Sequence, residues 1–231
     1  MPVIDFHSHI LPKADHGCDS KTEALRQLML LKSIEVDIAV ATSHFYPNRH
    51  TVTEFKKNIA NALEDILSSD IKDRPRIAIG AEVLICENID RMDSIEELCI
   101  EGTCVMLAEM PITEKWSDGL FETVRRLLKK DIIVVLAHID RYLPTHKEDL
   151  EYLLDMGTYA QINAVSLKRL LFKKHLNAFL GDARLVAFGS DLHNENTKAV
   201  SSFADLKRLK DNVFESVMDR CQEIIKDAKL Y

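Results

Sequence analysis

Ile132-Ile133-Val134-Val135-Leu136 is an unbroken run of branched apolar side chains. A strand with one solvated face alternates apolar and polar residues, whereas this run is apolar on both faces. It therefore predicts a strand buried on both sides, as in a parallel sheet covered by helices. His138 follows shortly after, so a side chain able to bind a metal stands where this strand ends.

The same alternation of strand and helix continues along the chain. Short β-rich runs predict seven strands, at residues 3–9, 37–43, 76–82, 104–109, 132–138, 159–163 and 185–190. Amphipathic stretches predict helices at 21–34, 53–68, 117–130, 147–156, 167–180 and 199–228, with a short extra helix within 87–98. Seven strands with intervening helices favour a closed or nearly closed (β/α) barrel over an open doubly wound sheet.

The sequence predicts a single domain. Its 231 residues suit one α/β barrel, and no repeat, low-complexity segment or Gly/Ser linker divides residues 1–231. With 46% hydrophobic and 29% charged residues, the composition is ordinary for a soluble protein with a large core.

Charge and cysteine content narrow the class of protein. The formal charge of −7 argues against a nucleic-acid partner, because proteins that bind nucleic acids usually present a basic surface. Five cysteines without a CxxC spacing predict reduced thiols and argue against a thiolate zinc site. No apolar run approaches the ~18–20 residues of a membrane span, and the N-terminus enters a strand at once. We therefore expect a cytoplasmic protein without membrane insertion.

Side chains that bind metals recur where the predicted strands end. Six of the nine histidines lie near the end of a strand-like run or in the loop after one, and carboxylates end others. Because strand side chains alternate, His7 and His9 lie on one face, as do Asp191 and His193. The candidate ligands are His7, His9, His16, His44, Glu82, Glu109, His138, Asp191 and His193.

This distribution predicts an enzyme with a metal centre. Nitrogen and oxygen donors that arrive from many strand ends at one rim are how a barrel builds a polynuclear site. A carboxylate buried after an apolar run would be costly without a cation. The remaining histidines, His50, His146 and His175, are expected to be solvated or satisfied by hydrogen bonds.

Eight short motifs carry these residues in a fixed order. They are Asp5-Phe-His-Ser-His9, Asp15-His16-Gly17, Ala41-Thr-Ser-His44-Phe-Tyr-Pro47, Gly80-Ala-Glu82-Val83, Ala108-Glu109-Met-Pro111, Ala137-His138-Ile-Asp-Arg-Tyr142, Gln161-Ile-Asn-Ala164 and Gly189-Ser-Asp191-Leu-His193-Asn194. Their order resembles the PHP (polymerase and histidinol phosphatase) superfamily of metal-dependent phosphoesterases. More narrowly, it resembles the bacterial capsular-polysaccharide type of manganese-dependent protein-tyrosine phosphatase, over residues 3 to about 198.

The resemblance implies a TIM-like PHP fold, a distorted seven-stranded barrel with three divalent metal ions at the C-terminal rim of its strands. Manganese is the first candidate for the metal, with iron or zinc as alternatives. The implied ligand groups are His7, His9, Glu82 and Asp191 for one ion; Glu82 again, with Glu109 and His138, for a second; and His16, His44 and His193 for a third.

One position departs from the resembling family. Its tyrosine-phosphatase branch has an aspartate where this chain has His16, although other branches of the superfamily use histidine. Asp15 stands just before it and is the competing ligand. A third site made only of histidines carries no ligand charge, which would shift the preference from manganese toward zinc or iron.

Cationic side chains near the ligands are candidates for holding the phosphate. Arg141, in the loop after His138, corresponds to an arginine that contacts the substrate phosphate in the family. A guanidinium matches a phosphate edge bidentately, whereas a lysine supplies a point charge. Lys198 and Arg49 are further candidates. The leaving group would take its proton from Asp140 or from a water on the metal.

The resemblance implies hydrolysis of phosphotyrosine by a hydroxide that bridges two metal ions. The implied partner is the tyrosine-rich tail of a bacterial tyrosine kinase that controls capsule or exopolysaccharide synthesis. The cysteine mechanism of other tyrosine phosphatases is excluded, because no cysteine has an arginine six positions later. Three alternatives remain: a phosphatase for small esters such as histidinol phosphate, a metal-dependent nuclease, and a non-catalytic module that docks a kinase. The oligomeric state stays open.

Overall fold

The computed structural model describes residues 1–113, 115–168, 176 and 179–231. Within them the chain forms parallel strands and α-helices in alternation. The strands are β1 Ile4–Ser8, β2 Ile38–Ala41, β3 His44–Phe45, β4 Arg76–Ile79, β5 Glu82–Leu84, β6 Val105–Glu109, β7 Ile133–Leu136, β8 Tyr159–Asn163 and β9 Leu185–Gly189. The helices are α1 Lys21–Ser33, α2 Val52–Leu67, α3 Asp118–Leu128, α4 Lys147–Asp155, α5 Thr197–Ala204 and α6 Val213–Ile224.

The strands form two parallel sheets, with the orders β1-β2-β4 and β3-β5-β6-β7-β8-β9. The chain passes from β2 to β3, and from β4 to β5, after a two-residue interruption, so the seven predicted strand runs lead to nine strands. Just beyond β9, the Asp191 amide donates to the His7 carbonyl at 2.8 Å, and the His9 amide donates to the Leu192 carbonyl at 3.0 Å. The predicted mixed α/β fold with parallel sheets is confirmed.

Burial follows the pattern that the sequence predicts. The last three residues of β7, Val134–Leu136, have no exposed surface, as expected for a strand covered on both faces. In α2, Phe55, Ile59, Leu63 and Ile66 recur at helical spacing and are all buried. The helices therefore pack their apolar faces onto the sheets, and the polar ends of the strands are left to form a site.

The C-terminal region differs from the sequence prediction. Residues 199–228 were predicted as one long helix, but the structure divides them into α5, a 3₁₀ helix at Asp205–Arg208, and α6. The break has a local cause: Asp211 and Asn212 adopt left-handed backbone angles, with φ of 61° and 54°. Polar residues of this kind tolerate the left-handed region and end helices.

Two other predicted helices have different outcomes. The extra helix predicted within 87–98 is a pair of short 3₁₀ helices, Ile89–Arg91 and Ile95–Leu98. The helix predicted at 167–180 lies largely outside the described residues, as does His175.

The end of the chain pairs with the first sheet. The Tyr231 amide donates to the Ile77 carbonyl at 2.9 Å, and the Ile77 amide donates back at 3.0 Å. All five cysteines are unpaired thiols, as predicted. In the part of the chain that the structure describes, no helix has both the length and the apolar character to cross a membrane.

Candidate metal centre

The predicted ligands meet where the strands end. His7 lies in β1, Glu82 opens β5 and Glu109 closes β6. His44 of β3 is opposite Glu82 in the parallel register. His138 follows β7 in a left-handed backbone conformation, with φ of 32°. Because the strands are parallel, their carboxyl ends share one edge, and that edge gathers the donor groups.

Glu82 lies at the centre of the cluster and is buried. Its Oε2 atom is 3.0 Å from His44 Nδ1, 3.2 Å from His7 Nε2 and 3.3 Å from His9 Nε2. Its other oxygen, Oε1, lies 2.7 Å from His138 Nε2. One carboxylate thus faces four imidazoles, so five side chains able to bind a metal meet at one buried point.

Asp191 approaches two of these imidazoles, and also the imidazole of His193. Its Oδ1 atom is 3.3 Å from His193 Nδ1, 3.5 Å from His9 Nε2 and 3.7 Å from His7 Nε2. Its backbone is left-handed, with φ of 52°. Non-glycine residues in this conformation are uncommon and concentrate at functional sites, because the surrounding structure must hold them there.

Glu109 completes the group of carboxylates. One of its oxygens lies 3.6 Å from His138 Nε2, and the other lies 3.8 Å from His44 Nδ1. Burial, and next the negative charge of Glu82, raise the pKa of Glu109. A divalent cation between the two carboxylates would remove this repulsion.

Among the residues that the structure describes, three groups of side chains have ligand atoms close enough to share an ion. They are His7, His9 and Glu82; His44, Glu82 and Glu109; and His9, His44 and His193. The first lies within one implied ligand group. In the second group, His44 accompanies Glu82 and Glu109 in the place expected for His138. In the third group, His9 accompanies His44 and His193 in the place expected for His16.

Asp15 and His16 occupy different places. Asp15 Oδ2 accepts from His9 Nδ1 at 2.7 Å and from the His44 amide at 2.8 Å, while Oδ1 accepts from the Gly17 amide at 2.8 Å. His16 is exposed, with its ring 4.9 Å from the rings of His44 and His193. Asp15 therefore lies behind His9, whereas His16 borders the mouth of the cluster.

Unpaired buried atoms show that the cluster fits a cation. Glu82 Oε2 and His44 Nδ1 are both buried and lack a hydrogen-bond partner among the described side chains and backbone, although they lie 3.0 Å apart. Buried polar atoms are almost always satisfied, so such atoms require an explanation. Imidazole nitrogens with carboxylate oxygens are the donor set for manganese, iron or zinc, and these residues fit such an ion.

The protonation of the cluster follows from burial and from neighbouring charge. Burial lowers the pKa of His44 to about 4, against the opposing charge of Glu82. Burial also disfavours protonation of His7, yet the Glu82 and Asp191 carboxylates outweigh it and raise the pKa of His7. For Glu82 burial is in turn outweighed, chiefly by His7, so the pKa of Glu82 is lowered.

Gln161 and Asn163, both on β8 and both buried, connect the ligands from behind. Gln161 Oε1 lies 3.2 Å from His7 Nδ1, and Asn163 Nδ2 donates to Asp191 Oδ2 at 2.8 Å. The sequence prediction included them in a motif but gave them no role in the site. The sequence signal for this supporting role was a pair of side-chain amides near the end of a predicted strand.

The predicted phosphate-binding and catalytic residues divide by location. Arg141, whose side chain is 41% exposed, forms an ion pair with Asp191 at the edge of the cluster. Asp140 is buried, and its oxygens accept from the Asn163 amide at 2.9 Å and from Ser166 Oγ at 2.6 Å.

Two other predicted cations lie further out. The Arg49 guanidinium lies over the Tyr46 ring, 5.0 Å from its centroid, and that ring stacks on His44. Lys198 is exposed in the first turn of α5.

The histidines predicted to have no role in the site include one buried example. His146 is satisfied by Asp149 Oδ2 at 3.0 Å and by the Thr113 carbonyl at 2.7 Å, and it stacks on Trp116. His50 is partly buried in the turn before α2.

Curated relatives are similar over most of the chain. CpsB of Streptococcus agalactiae, named a tyrosine-protein phosphatase, is 27% identical over 206 residues, which is 83% of each chain. CpsB of Streptococcus pneumoniae, with the same description, is 26% identical over 209 residues and 85% of each chain. A putative tyrosine-protein phosphatase CapC of Staphylococcus aureus is 28% identical over 87% of this chain and 72% of its own.

Comparison with solved structures finds proteins of the same kind. A chain from the crystal structures of YwqE of Bacillus subtilis and CpsB of Streptococcus pneumoniae, described as metal-dependent tyrosine phosphatases, superposes with a TM-score of 0.81. It is 18% identical, and the match covers 99% of this chain and 96% of that one, which shows a shared fold. The family model for capsular polysaccharide synthesis, CpsB/CapC, matches residues 3–224. The chain therefore belongs to the CpsB/CapC family.

Proposed function

We propose that this chain is a metal-dependent phosphomonoesterase that hydrolyses phosphotyrosine in proteins. The observation that carries the proposal is the convergence of three imidazole nitrogens within 3.3 Å of one buried oxygen of Glu82. Family membership and the names of the relatives support phosphotyrosine as the substrate.

The residues divide the work of hydrolysis between them. When bound, divalent ions activate water for attack on phosphorus and offset the charge of the phosphate. Glu82 and Asp191 with His7 and His9 would hold the ions at fixed positions. Arg141 lies at the open edge of the cluster, where its guanidinium can leave Asp191 and bind two phosphate oxygens.

We assign three ions to the cluster, with manganese as the first candidate and iron or zinc as the alternatives. Glu109 and His138 would serve one ion together with Glu82. His16 would join His44 and His193 at the third, because its ring borders both of theirs. Asp15 is then a support for His9, not a ligand.

The general acid is not assigned to Asp140. Both of its oxygens accept hydrogen bonds from β8 or the residues after it, so we assign Asp140 to holding the end of β8. Lys198 and Arg49 lie outside the cluster, where they could contact the protein that carries the phosphotyrosine.

We also propose that the two sheets form one distorted seven-stranded barrel in a single domain, residues 1–231. The hydrogen bonds from the Asp191 amide to the His7 carbonyl and from the His9 amide to the Leu192 carbonyl support closure between the last and first strands. The proposed partner is the tail of a bacterial tyrosine kinase, by analogy with the family.

The test is hydrolysis of a phosphotyrosine peptide by protein reconstituted with manganese, beside histidinol phosphate. His138→Ala removes one ligand, and His50→Ala is the matched control outside the cluster. We expect peptide turnover in the wild type and in His50→Ala, and a loss of at least about 100-fold in His138→Ala.

Other outcomes identify the alternatives. Turnover of histidinol phosphate without turnover of the peptide would make the chain a small-ester phosphatase. Cleavage of DNA or RNA in the same assay would indicate a nuclease. Metal binding without turnover of any of these substrates would leave a module that docks a kinase without catalysis.

A further inference from the structure

We infer that Gln161 is a positioning residue that fixes which nitrogen of His7 carries the proton and that orients Asp191 through Asn163. The inference rests on the proposed function only in taking the cluster to bind a metal. Gln161 has no exposed surface and lies between His7 and the backbone of His138. Its role follows from the direction of each hydrogen bond.

A backbone amide sets the orientation of the Gln161 side chain. The amide of His138 can only donate, and it lies 2.6 Å from Gln161 Oε1, so this atom is the carbonyl oxygen of the side chain. The same oxygen lies 3.2 Å from His7 Nδ1. A carbonyl oxygen only accepts, so His7 Nδ1 must carry the hydrogen.

The proton on Nδ1 leaves the other nitrogen of His7 available. A neutral imidazole has one N–H and one lone pair, and it binds metals through the unprotonated nitrogen. His7 Nε2 is the atom that faces Glu82 Oε2 at 3.2 Å and Asp191 Oδ1 at 3.7 Å. Gln161 thus directs the lone pair of His7 into the donor cluster.

The side-chain nitrogen of Gln161 is connected to Asp191 through Asn163. Gln161 Nε2 donates to Asn163 Oδ1 at 2.9 Å, and Asn163 Nδ2 donates to Asp191 Oδ2 at 2.8 Å. Because the first amide is oriented by the backbone, the second is oriented as well. Asp191 Oδ2 accepts from Asn163 and also from Arg141 Nη2, which leaves Oδ1 turned toward the imidazoles.

The neighbouring strand leaves room for this contact. A Cβ atom on Gly189 would lie 2.5 Å from His7 Cβ and 2.7 Å from Gln161 Nε2, both closer than real contacts. Only glycine at this position lets His7 and Gln161 approach each other. His7 is therefore supported by a neutral amide, whereas His9 is supported by the Asp15 carboxylate at 2.7 Å.

Two substitutions separate the two sets of hydrogen bonds. One set joins Gln161 Oε1 to His7 and His138, and the other joins Gln161 Nε2 to Asp191 through Asn163. Gln161→Met is close in shape but has no amide group, so both sets of hydrogen bonds are lost. Gln161→Glu keeps an acceptor for His7 and His138 but cannot donate to Asn163. The tautomer of His7 is measured by long-range ¹H–¹⁵N NMR on metal-free protein, at a pH where the imidazole is neutral, and manganese affinity is measured by titration.

We expect distinct results for the two variants. Gln161→Met should lose the uniform Nδ1–H state of His7, and its manganese affinity should fall about 10- to 100-fold, as when other supports of metal ligands are removed. Gln161→Glu should keep the His7 tautomer and still bind manganese at least about 10-fold more weakly, because Asn163 and Asp191 lose their orientation.

Gln27→Met is the matched control, since Gln27 is equally buried but donates to the Gly17 and Asn194 carbonyls. It should leave the His7 tautomer unchanged. An unchanged His7 tautomer in Gln161→Met, or wild-type manganese affinity in Gln161→Glu, would overturn the inference. If Gln161→Met does not fold, Gln161→Glu alone decides. Neither readout requires phosphatase activity, so the inference can fail while the proposed function stands, and the reverse.

Discussion

At the scale of single residues, one carboxylate fixes two histidines of the site. Asp15 accepts from the ring of His9 and from the backbone of His44, and its second oxygen holds the Gly17 amide. These three hydrogen bonds outweigh the effect of burial and hold the pKa of Asp15 well below its usual range. Asp15 is therefore ionised, and its charge favours a proton on His9 Nδ1, the nitrogen that contacts it.

Asp15→Asn tests this role. An asparagine has one oxygen for three donors, so at least one N–H would lose its acceptor. We expect about 1–3 kcal/mol lower stability and about 10- to 100-fold weaker manganese binding, measured by urea unfolding and metal titration. Asp19→Asn, at an exposed position just beyond the same loop, is the control. Loss of one ion from the stoichiometry, with the others bound normally, would instead identify Asp15 as a direct ligand.

Gly17→Ala should disturb the same histidine by steric contact. A Cβ atom at position 17 would lie 2.1 Å from His9 Cβ and 2.8 Å from the His9 carbonyl oxygen. Overpacking of this kind typically costs about 1–3 kcal/mol, and here it would also move His9 away from Glu82. Gly181→Ala, where a Cβ meets no atom of the described residues within 4 Å, is the control. Equal melting temperatures and metal affinities for the two variants would refute the expectation.

The sequence predicted which residues would meet better than it predicted their roles. His7, Glu82 and His138 could be named because each stands at a strand end, and parallel strand ends share one edge. The support that Gln161 and Asn163 give depends on β8 lying between β7 and β9, which no periodicity in the sequence indicates.

At the scale of elements, α3 is joined to the short helix Ile89–Arg91 by one ion pair. Arg126 Nε donates to Asp90 Oδ2 at 2.7 Å, and Arg126 Nη2 donates to Asp90 Oδ1 at 2.8 Å. Asp90 is buried, and a bidentate pair of this kind fixes geometry as well as charge. The guanidinium of Arg126, against the effect of burial, holds the pKa of Asp90 below its usual range.

This pair should make stability depend on pH in the acid range. The unfolded chain binds a proton on Asp90 at its usual pKa of 3.8, whereas the folded protein binds it only at lower pH. The stabilisation is thus present above about pH 4 and is lost as the pH falls through the lower folded pKa. In Arg126→Met, urea unfolding of metal-free protein should show less stability at neutral pH and a flatter acid slope.

Arg125→Met is the control for this experiment, because Arg125 pairs with the partly exposed Glu122 on its own helix. Its acid slope should match that of the wild type. An unchanged slope in Arg126→Met would mean that the pair contributes nothing to the pH dependence.

The elements show where sequence patterns fail. The predicted strand runs correspond to real strands because their apolar character matches their burial. The predicted helix at 199–228 failed because amphipathic periodicity continues on both sides of Asp211 and Asn212, while the backbone reverses its handedness at these two residues. Periodicity reports the apolar face of a segment and carries little information on its continuity.

At the scale of the whole molecule, the donor cluster joins residues far apart in the sequence. His7 lies in the first strand and His9 directly follows it, whereas Asp191 and His193 follow the last strand. The Glu82 and His44 atoms that face each other without a hydrogen bond are a cost to the metal-free fold. A cation that binds only the complete cluster therefore stabilises the folded chain.

Removing metal should lower thermal stability. At a free manganese concentration about 100 times its dissociation constant, binding adds about 2.7 kcal/mol, which corresponds to about 5–10 °C in Tm for a chain of this size. The measurement is thermal unfolding with manganese and with a chelator. His138→Ala should show a smaller difference between the two conditions. Equal Tm values in the wild type would show that the cluster does not hold the ion.

The joining of the first and last strands at one cluster also orders the events of folding. Contacts between distant parts of a chain form late, and a chain without β9 can offer an ion only fragments of the site, such as the His7 and His9 pair. Metal acquisition would then follow folding and not guide it. In stopped-flow experiments, manganese would slow unfolding and leave the folding rate unchanged. The ion would therefore lengthen the lifetime of the folded state without speeding its formation.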